Sequence, residues 1–115
     1  MARPWAYVTA AWGSDDYEAR KKAEKYCRKI FDAGYDPICP HLVTSLFVDD
    51  TEPAEHKRRK EYAEEHLRRS RIVVVCGGRT DSQVKSDIAL AERLHIVATT
   101  LQGIEEIEMK CPKKP

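Results

Sequence analysis

The chain has 115 residues, of which 20 are Lys or Arg and 19 are Asp or Glu, for a formal net charge of +1. This length suits one domain with a single layered core and is too short for two. The near-neutral balance gives no electrostatic case for nucleic acid or an anionic membrane, so a small ligand is the better hypothesis. Because no apolar run could span a bilayer and the first residues lack a secretory signal's layout, we expect a cytoplasmic protein with no membrane partner.

The cysteine pattern does not favour a metal site. Cys27, Cys39, Cys76 and Cys111 lie far apart with no C-x-x-C pair, which predicts reduced thiols. Cys39 and His41 together supply only two metal ligands, so we expect none to bind there. Cys76 is interpreted as packing at the end of a strand, with a reactive thiol as the alternative.

The first third of the chain predicts a strand, a helix and a second strand. Residues 6–11 form an apolar run with β-forming residues and are followed by a turn at 12–14. Asp15 with Glu18 three residues later is typical of a helix start, and helical spacing continues until Gly34. Residues 35–39 are bounded by prolines and predict a short edge strand.

The middle of the chain is harder to assign. Residues 41–50 (HLVTSLFVDD) are apolar without a clear period, which predicts an irregular segment over the end of the sheet, serving as a lid or a partner contact. Thr51 and Pro53 then begin a long helix to about Arg69. We expect its inward face to hold Ala54, Tyr62, Ala63 and Leu67. The basic residues 57–60 have two interpretations. One is a patch that binds phosphate or nucleic acid. The other, which we favour, is that they belong to a solvent-exposed series of opposite charges four residues apart along this helix, which also includes Glu65 with Arg69.

The segment that follows combines a buried strand with a misplaced acid. Ile72 to Val75 are four consecutive β-branched residues, which is typical of a central strand in a parallel sheet. A glycine turn leads into a helix whose apolar side, at about 100° per residue, holds Val84, Ile88, Leu90, Ala91, Leu94 and His95. Asp87 falls inside that side. A buried carboxylate must be paired, hydrogen-bonded or neutral, so Asp87 is either functional or an acid that caps a loop or pairs with an arginine.

The whole pattern predicts a single domain over residues 1–109. Residues 95–101 give a fourth strand, residues 103–109 are too short to assign, and residues 110–115 are a flexible tail. Alternating strands and helices predict a three-layer α/β fold of the flavodoxin or Rossmann-like type. Its parallel sheet would have four or five strands in the order 2-1-3-4 with a possible fifth.

This topology predicts where a ligand binds. Strands one and three lie on either side of the point where the strand order reverses, and ligands bind at the carboxyl ends of the strands there. Paired glycines before a helix can present N–H groups to an anion, although the sequence is neither a P-loop nor G-x-G-x-x-G. The candidate ligand contacts are Thr9, Trp12, Gly13, Ser14, His41, Gly77, Gly78 and Ser82.

Several motifs resemble the nucleoside 2-deoxyribosyltransferase-like superfamily. They are the strand-one run from Tyr7 to Trp12 and the pair Asp81 and Asp87, six residues apart on a strand, loop and helix. The segments RPWAYVTAAW, DAGYDPICP, EHK, LRRSRIVVVCG and VKSDIALAERL are more closely similar to small bacterial proteins of mobile elements, of the DUF4406 or DUF7768 type. The likeness covers roughly residues 3–103.

The resemblance implies cleavage of an N-glycosidic bond or retaining transfer of the deoxyribosyl group to a second base, with a nucleoside or nucleotide as ligand and no cofactor. Asp87 would be the nucleophile and Asp81 a contact of the base. Tyr7 would orient the nucleophile, and Trp12 would lie near the base. We expect the hydroxyl of Tyr7 or Ser14 to lie within hydrogen-bond reach of Asp87. Superfamily members are typically oligomers, so we expect at least a homodimer through residues 41–48 or the long helix.

The sequence also departs from the superfamily. The usual nucleophile is a longer glutamate, Gln83 and Lys85 stand where glycines are usual, and Ala63 replaces a further acid. One alternative is therefore a binding or sensor module without catalysis, and another is an interaction protein of a mobile element that docks through residues 41–48. Tyr7 and Trp12 have a second interpretation as packing residues, and Asp81 as a helix N-cap.

Overall fold

The computed structural model describes residues 2–110 of the chain. Strands and helices alternate along most of it. Their order is β1 (Trp5–Ala10), α1 (Asp16–Asp32), β2 (Asp36–Ile38), α2 (Pro40–Thr44), α3 (Pro53–Arg68), β3 (Ile72–Cys76), α4 (Ser82–Arg93), β4 (Val97–Thr100) and α5 (Leu101–Lys110).

The four strands form one parallel sheet in the order β2-β1-β3-β4, flanked by helices, which confirms the predicted flavodoxin-like order. β1 and β3 are the two central strands, and their register pairs Tyr7 with Val73 and Ala10 with Cys76. Both strands therefore end at the same edge, over which a ligand site was predicted.

The sheet packs on helices at both faces because successive strand side chains point in opposite directions. On one face Val8 and Val74 pack with Ile30 of α1 and Ile104 of α5. On the other face Tyr7 and Val73 pack with Leu67 of α3 and with Leu90 and Ala91 of α4. β3 is central as predicted, although Ile72 and Val75 are only partly buried and β1 is buried along four consecutive residues.

Two helix starts follow the sequence signals. Asp15 Oδ1 accepts a hydrogen bond from the Glu18 amide at 3.1 Å at the start of α1. α3 begins at Pro53, where the missing proline N–H costs no hydrogen bond. Ala63 and Leu67 of α3 are buried as expected, whereas Ala54 in its first turn is exposed. The first turn of α3 therefore extends beyond the core.

Three further features differ from the expectations. Residues 41–50 are not wholly irregular, because α2 covers Pro40–Thr44 and the remainder forms turns. His95 is exposed rather than on the apolar face of α4, since it lies past the helix end with a left-handed φ of 58° that turns the chain toward β4. Among the described residues there is no fifth strand, and the segment after β4 is the helix α5.

The last helix begins as soon as β4 ends. The Gly103 amide donates to Thr100 Oγ1 at 3.0 Å, so a strand residue also caps the helix. A Cβ on Gly103 would lie 2.5 Å from Thr99 Oγ1, which is why a glycine is required there. Of the predicted tail, Lys110 ends α5 and residues 111–115 lie outside the described residues. None of the helices within residues 2–110 combines the length and apolar character needed to cross a bilayer.

Candidate functional site

A cleft of about 260 Å³ lies over the carboxyl ends of β1 and β3. Its walls come from α1 on one side of the sheet and from α3 and α4 on the other. Most of the residues predicted from sequence line it, namely Tyr7, Thr9, Trp12, Gly13, Ser14, His41, Gly77, Gly78 and Asp87. Asp81 and Ser82 are not among its lining residues.

The carboxyl group of Asp87 is held at the floor of the cleft by two hydrogen bonds. The side chain is 5% exposed. Thr9 Oγ1 donates to Oδ2 at 2.7 Å, and Gln83 Nε2 donates to Oδ1 at 3.0 Å. Burial raises the pKa of Asp87, and the two hydrogen bonds hold part of that rise back because they favour the charged form. Asp87 is thus a desolvated carboxylate fixed in one orientation.

The partner of Asp87 on β1 differs from the expected one. We expected Tyr7 or Ser14 within hydrogen-bond reach, and among the described residues the donors are Thr9 and Gln83. Tyr7 and Thr9 point to the same face of the sheet, but Thr9 is two residues closer to the carboxyl end. The Tyr7 ring packs in the core beneath, where burial and then the charge of Asp87 raise the pKa of its phenol.

Asp81 serves first as the N-cap of α4. Its Oδ1 accepts from the Val84 amide at 2.9 Å, and its Oδ2 accepts from the Trp12 amide at 3.2 Å. One carboxylate therefore joins the loop after β1 to the loop after β3. Ser82 is exposed at the first position of α4. A role of either residue in contacting a ligand stays a prediction.

Trp12 and His41 form a stacked pair in the wall of the cleft. Their ring centroids are 4.0 Å apart with an angle of 16° between the planes. Burial, with the positive charge of Arg59 nearby, lowers the pKa of His41 to about 4. The imidazole is therefore neutral at physiological pH and offers a planar, weakly polar surface.

The glycine turn after β3 allows close packing against α1. Gly77 has a φ of 80°, and a Cβ there would lie 3.0 Å from the Tyr26 hydroxyl. Gly13 in the loop after β1 also has a φ of 80°. Both positions are in the left-handed region that favours glycine. Gly78 has open space around it, so its neighbourhood could admit a ligand.

Sequence reasoning missed the role of Arg59. We grouped it with the solvated charges of the long helix, but it is 8% exposed and lines the cleft. Its Nε donates to Asp50 Oδ1 at 2.7 Å. The signal was present in the spacing, because Arg59 lies four residues before Ala63 and eight before Leu67, on the same inward face. Of the predicted ladder, Glu65 does pair with Arg69 at 2.7 Å.

The hydrogen bond from Gln83 to Asp87 was also not predicted. We noted Gln83 only as a residue where a glycine is usual, yet it lies one helical turn before Asp87 and donates to it. Residues four apart on a helix are neighbours, so this contact was accessible from sequence. The Gln83 amide therefore occupies Oδ1 of Asp87, while Thr9 occupies Oδ2.

Two cysteines line the cleft beside these groups, Cys39 and Cys76. Burial raises the pKa of Cys76 to about 12, so it is a protonated thiol at neutral pH and fits its interpretation as packing. Within the described part of the chain, no three His, Cys, Asp or Glu side chains are grouped as metal ligands would be. Cys111 lies outside the described residues.

Comparisons with known proteins agree with this architecture. A search of curated protein sequences finds no significant match. A 2-deoxyribosyltransferase from the psychrotolerant bacterium Bacillus psychrosaccharolyticus is similar in structure, with a TM-score of 0.65 and 15% identity over 84% of this chain and 70% of that chain. At this identity the likeness shows a shared fold.

The family follows from a second comparison. The sequence profile of DUF7768, described as a domain of unknown function, matches residues 4–101. The matched range contains all four strands, the cleft and every residue predicted to form the site. The chain therefore belongs to the DUF7768 family.

Proposed function

We propose that this protein binds a nucleoside or nucleotide and cleaves or transfers its N-glycosidic bond, with Asp87 as the nucleophile. The observation that carries the proposal is the buried Asp87 carboxylate, hydrogen-bonded by Thr9 and Gln83 and facing a cleft at the reversal point of the sheet. The shared fold with a 2-deoxyribosyltransferase supports it. Burial of a carboxyl group costs free energy of folding, so a buried acid that faces a cleft indicates a functional role.

The reaction needs one protein group from the cleft, the Asp87 carboxylate, together with solvent or a second base. A carboxylate oxygen of Asp87 forms a bond to the anomeric carbon as the bond from that carbon to the base nitrogen breaks. The base leaves with the electron pair and takes a proton from solvent. Water or a second base then attacks the same carbon, loses a proton and releases the Asp87 carboxylate, so the anomeric configuration is retained.

The neighbouring residues would orient both partners of this reaction. Thr9 and Gln83 fix the plane of the carboxylate, which keeps the attacking oxygen in line without loss of rotamer entropy during the reaction. Trp12 and His41 offer a flat surface against which a base can lie. Tyr7 supports the floor from the core.

One observation favours a second candidate, a binding or sensor module without catalysis. Both oxygens of Asp87 already accept hydrogen bonds, and the side chain is shorter than a glutamate. An error of about 1 Å in the position of a reacting atom can cost on the order of a hundredfold in rate. Such a carboxylate would suit recognition of a sugar hydroxyl as well as attack on carbon.

A single panel separates the two candidates. The protein is incubated with deoxynucleosides and deoxynucleotides, free base is measured by chromatography, and affinity is measured by calorimetry. For an enzyme, Asp87→Asn abolishes base release while binding and folding persist, since acid and amide have similar size. Glu92→Gln, the same acid-to-amide change at an exposed position of the same helix that does not line the cleft, is the matched control and keeps full activity.

Two other outcomes of this panel would exclude one or both candidates. If the wild type binds a ligand but releases base only at the rate of Asp87→Asn, the binding module replaces the enzyme. If it neither binds nor cleaves any member of the panel, both candidates fail.

A further inference from the structure

Arg59 differs from the other basic residues of α3 in lining the cleft. Its Nε donates to Asp50, and the two terminal nitrogens carry further N–H donors. Within the described residues those terminal nitrogens make no hydrogen bond, and no side-chain nitrogen is both buried and unpartnered. They therefore keep solvent contact and are available to a ligand in the cleft that Arg59 lines.

The position of Arg59 relates it to one side of the cleft. Arg59 lies on α3, in the same helical layer as Asp87 on α4, whereas Lys22 and Tyr26 line the cleft from α1 on the other side of the sheet. The charge of Arg59 lowers the pKa of His41, whose ring stacks on Trp12. A base lying against that stack with its sugar above Asp87 would have an edge within the reach of Arg59.

Arg59 is also held in place before any ligand arrives. Asp50 accepts from its Nε at 2.7 Å and is itself 3.3 Å from Nδ1 of His56. This anchor fixes the plane of the guanidinium fork, so less side-chain entropy is lost when a ligand binds. The anchor uses one donor and leaves the planar pair of terminal nitrogens for recognition.

From this geometry we propose that Arg59 determines base specificity, selecting nucleosides whose base presents acceptor atoms, such as a 6-oxopurine or uracil, over those with an exocyclic amine there. The inference rests on the proposed function. Arginine only donates, and a 6-oxopurine presents adjacent oxygen and nitrogen acceptors to a guanidinium fork. An exocyclic amine at the same place would set donor against donor. The cleft would thus bind deoxyinosine or deoxyuridine and reject deoxyadenosine or deoxycytidine.

The test compares matched nucleosides by isothermal titration calorimetry. We expect the wild type to bind deoxyinosine over deoxyadenosine, and deoxyuridine over deoxycytidine, by on the order of tenfold to a hundredfold. Arg59→Gln should bring both ratios close to one, because a glutamine amide both donates and accepts. Arg58→Gln is the matched control, since Arg58 is the exposed neighbour on the same helix, and should keep the wild-type ratios.

A second variant guards against loss of folding. Arg59→Lys keeps the positive charge without the planar fork and should retain binding with a reduced ratio, and thermal melts monitor folding of each variant. Equal affinities within each pair for the wild type, or wild-type ratios in Arg59→Gln, would overturn the inference while nucleoside binding stands. Absence of binding by all four nucleosides and by their 5′-monophosphates would overturn the proposed function and this inference together.

Discussion

Asp87 and His41 face the same cleft and respond to burial in opposite directions. Burial raises the pKa of the acid and lowers that of the imidazole, because in each case the charged form is the one that loses solvation. Both groups are therefore shifted toward neutrality. Asp87 could attack carbon only as the ionised carboxylate. The hydrogen bonds from Thr9 and Gln83 favour that ionised form and so support the proposed reaction.

The shift at His41 predicts a dependence of stability on pH. Its pKa is about 4 in the folded chain against an ordinary 6.5, so within that window the unfolded chain binds more protons. The free energy of unfolding should therefore fall as pH is lowered through the window. Asp87 acts in the opposite sense, since its protonation favours the folded chain. The contribution of His41 is isolated by comparing the wild type with His41→Phe, which keeps a ring against Trp12.

Urea unfolding at several pH values across this window gives the measurement. The wild type should lose more stability than His41→Phe on acidification, and the difference between their free energies of unfolding should become independent of pH above the window. Parallel curves for the two proteins would mean that His41 titrates with its ordinary pKa.

The sequence predicted the burial of Asp87 better than it predicted the hydrogen-bond partners of its carboxyl group. Asp87 was identified because the helical period alone decides which face of α4 it occupies. The donor on β1 depends on how far α4 slides along the sheet, which is set by tertiary packing. That is why Thr9, rather than Tyr7 or Ser14, bonds the carboxylate. Arg59 was missed for a different reason. Residues 57–60 were interpreted from their charge as solvent-exposed, although the spacing of Arg59 places it on the inward face of the helix.

Among the elements, α4 depends most on one polar contact at its start. Asp81 caps the helix and also holds the Trp12 amide, so it links the two loops that form the cleft. Asp81→Ala should lower the free energy of unfolding by about 1 kcal/mol, as loss of an N-cap does. It should also weaken ligand binding, because the loop after β1 loses its anchor.

The comparison with Asp81→Asn makes the test specific. The amide oxygen of asparagine can still accept at the cap, so this variant should stay close to the wild type in urea unfolding. Its amide nitrogen cannot accept from the Trp12 amide, so ligand binding should weaken as in Asp81→Ala. If Asp81→Ala has the same free energy of unfolding as the wild type, neither the cap nor the link between the two loops contributes to stability.

The elements differ in how strongly the sequence specified them. β1, β3, α1, α3 and α4 were predicted because each is long or apolar enough to show its own period. α2 has only five residues, too few to display a period, so it was taken as irregular. α5 was missed because its cap, Thr100, is also the last residue of β4 and was included in the strand.

For the molecule as a whole, the apolar segment after α2 remains uncovered. Leu46 and Phe47 are 70% and 67% exposed, and Val43 on α2 is 45% exposed. They follow His41, a lining residue of the cleft, within a few positions of the chain. Exposed apolar side chains grouped in this way are typical of interaction surfaces. A second copy of the chain is the partner we predict, and a different protein partner is the alternative.

Replacing the exposed pair tests this prediction of a homodimer. Burying an apolar side chain of this size stabilises an interface by roughly 1.5–3 kcal/mol, so Leu46→Glu with Phe47→Glu should convert a dimer into a monomer. Val97→Glu is the control, because Val97 is 66% exposed on the edge strand β4 and lies on a different element. Light scattering at micromolar concentration should give a dimer for the wild type and for Val97→Glu, and a monomer for the double variant. A monomeric wild type would exclude self-association and leave the surface to a different partner, whereas a dimer that survives the double variant would place the interface elsewhere on the molecule.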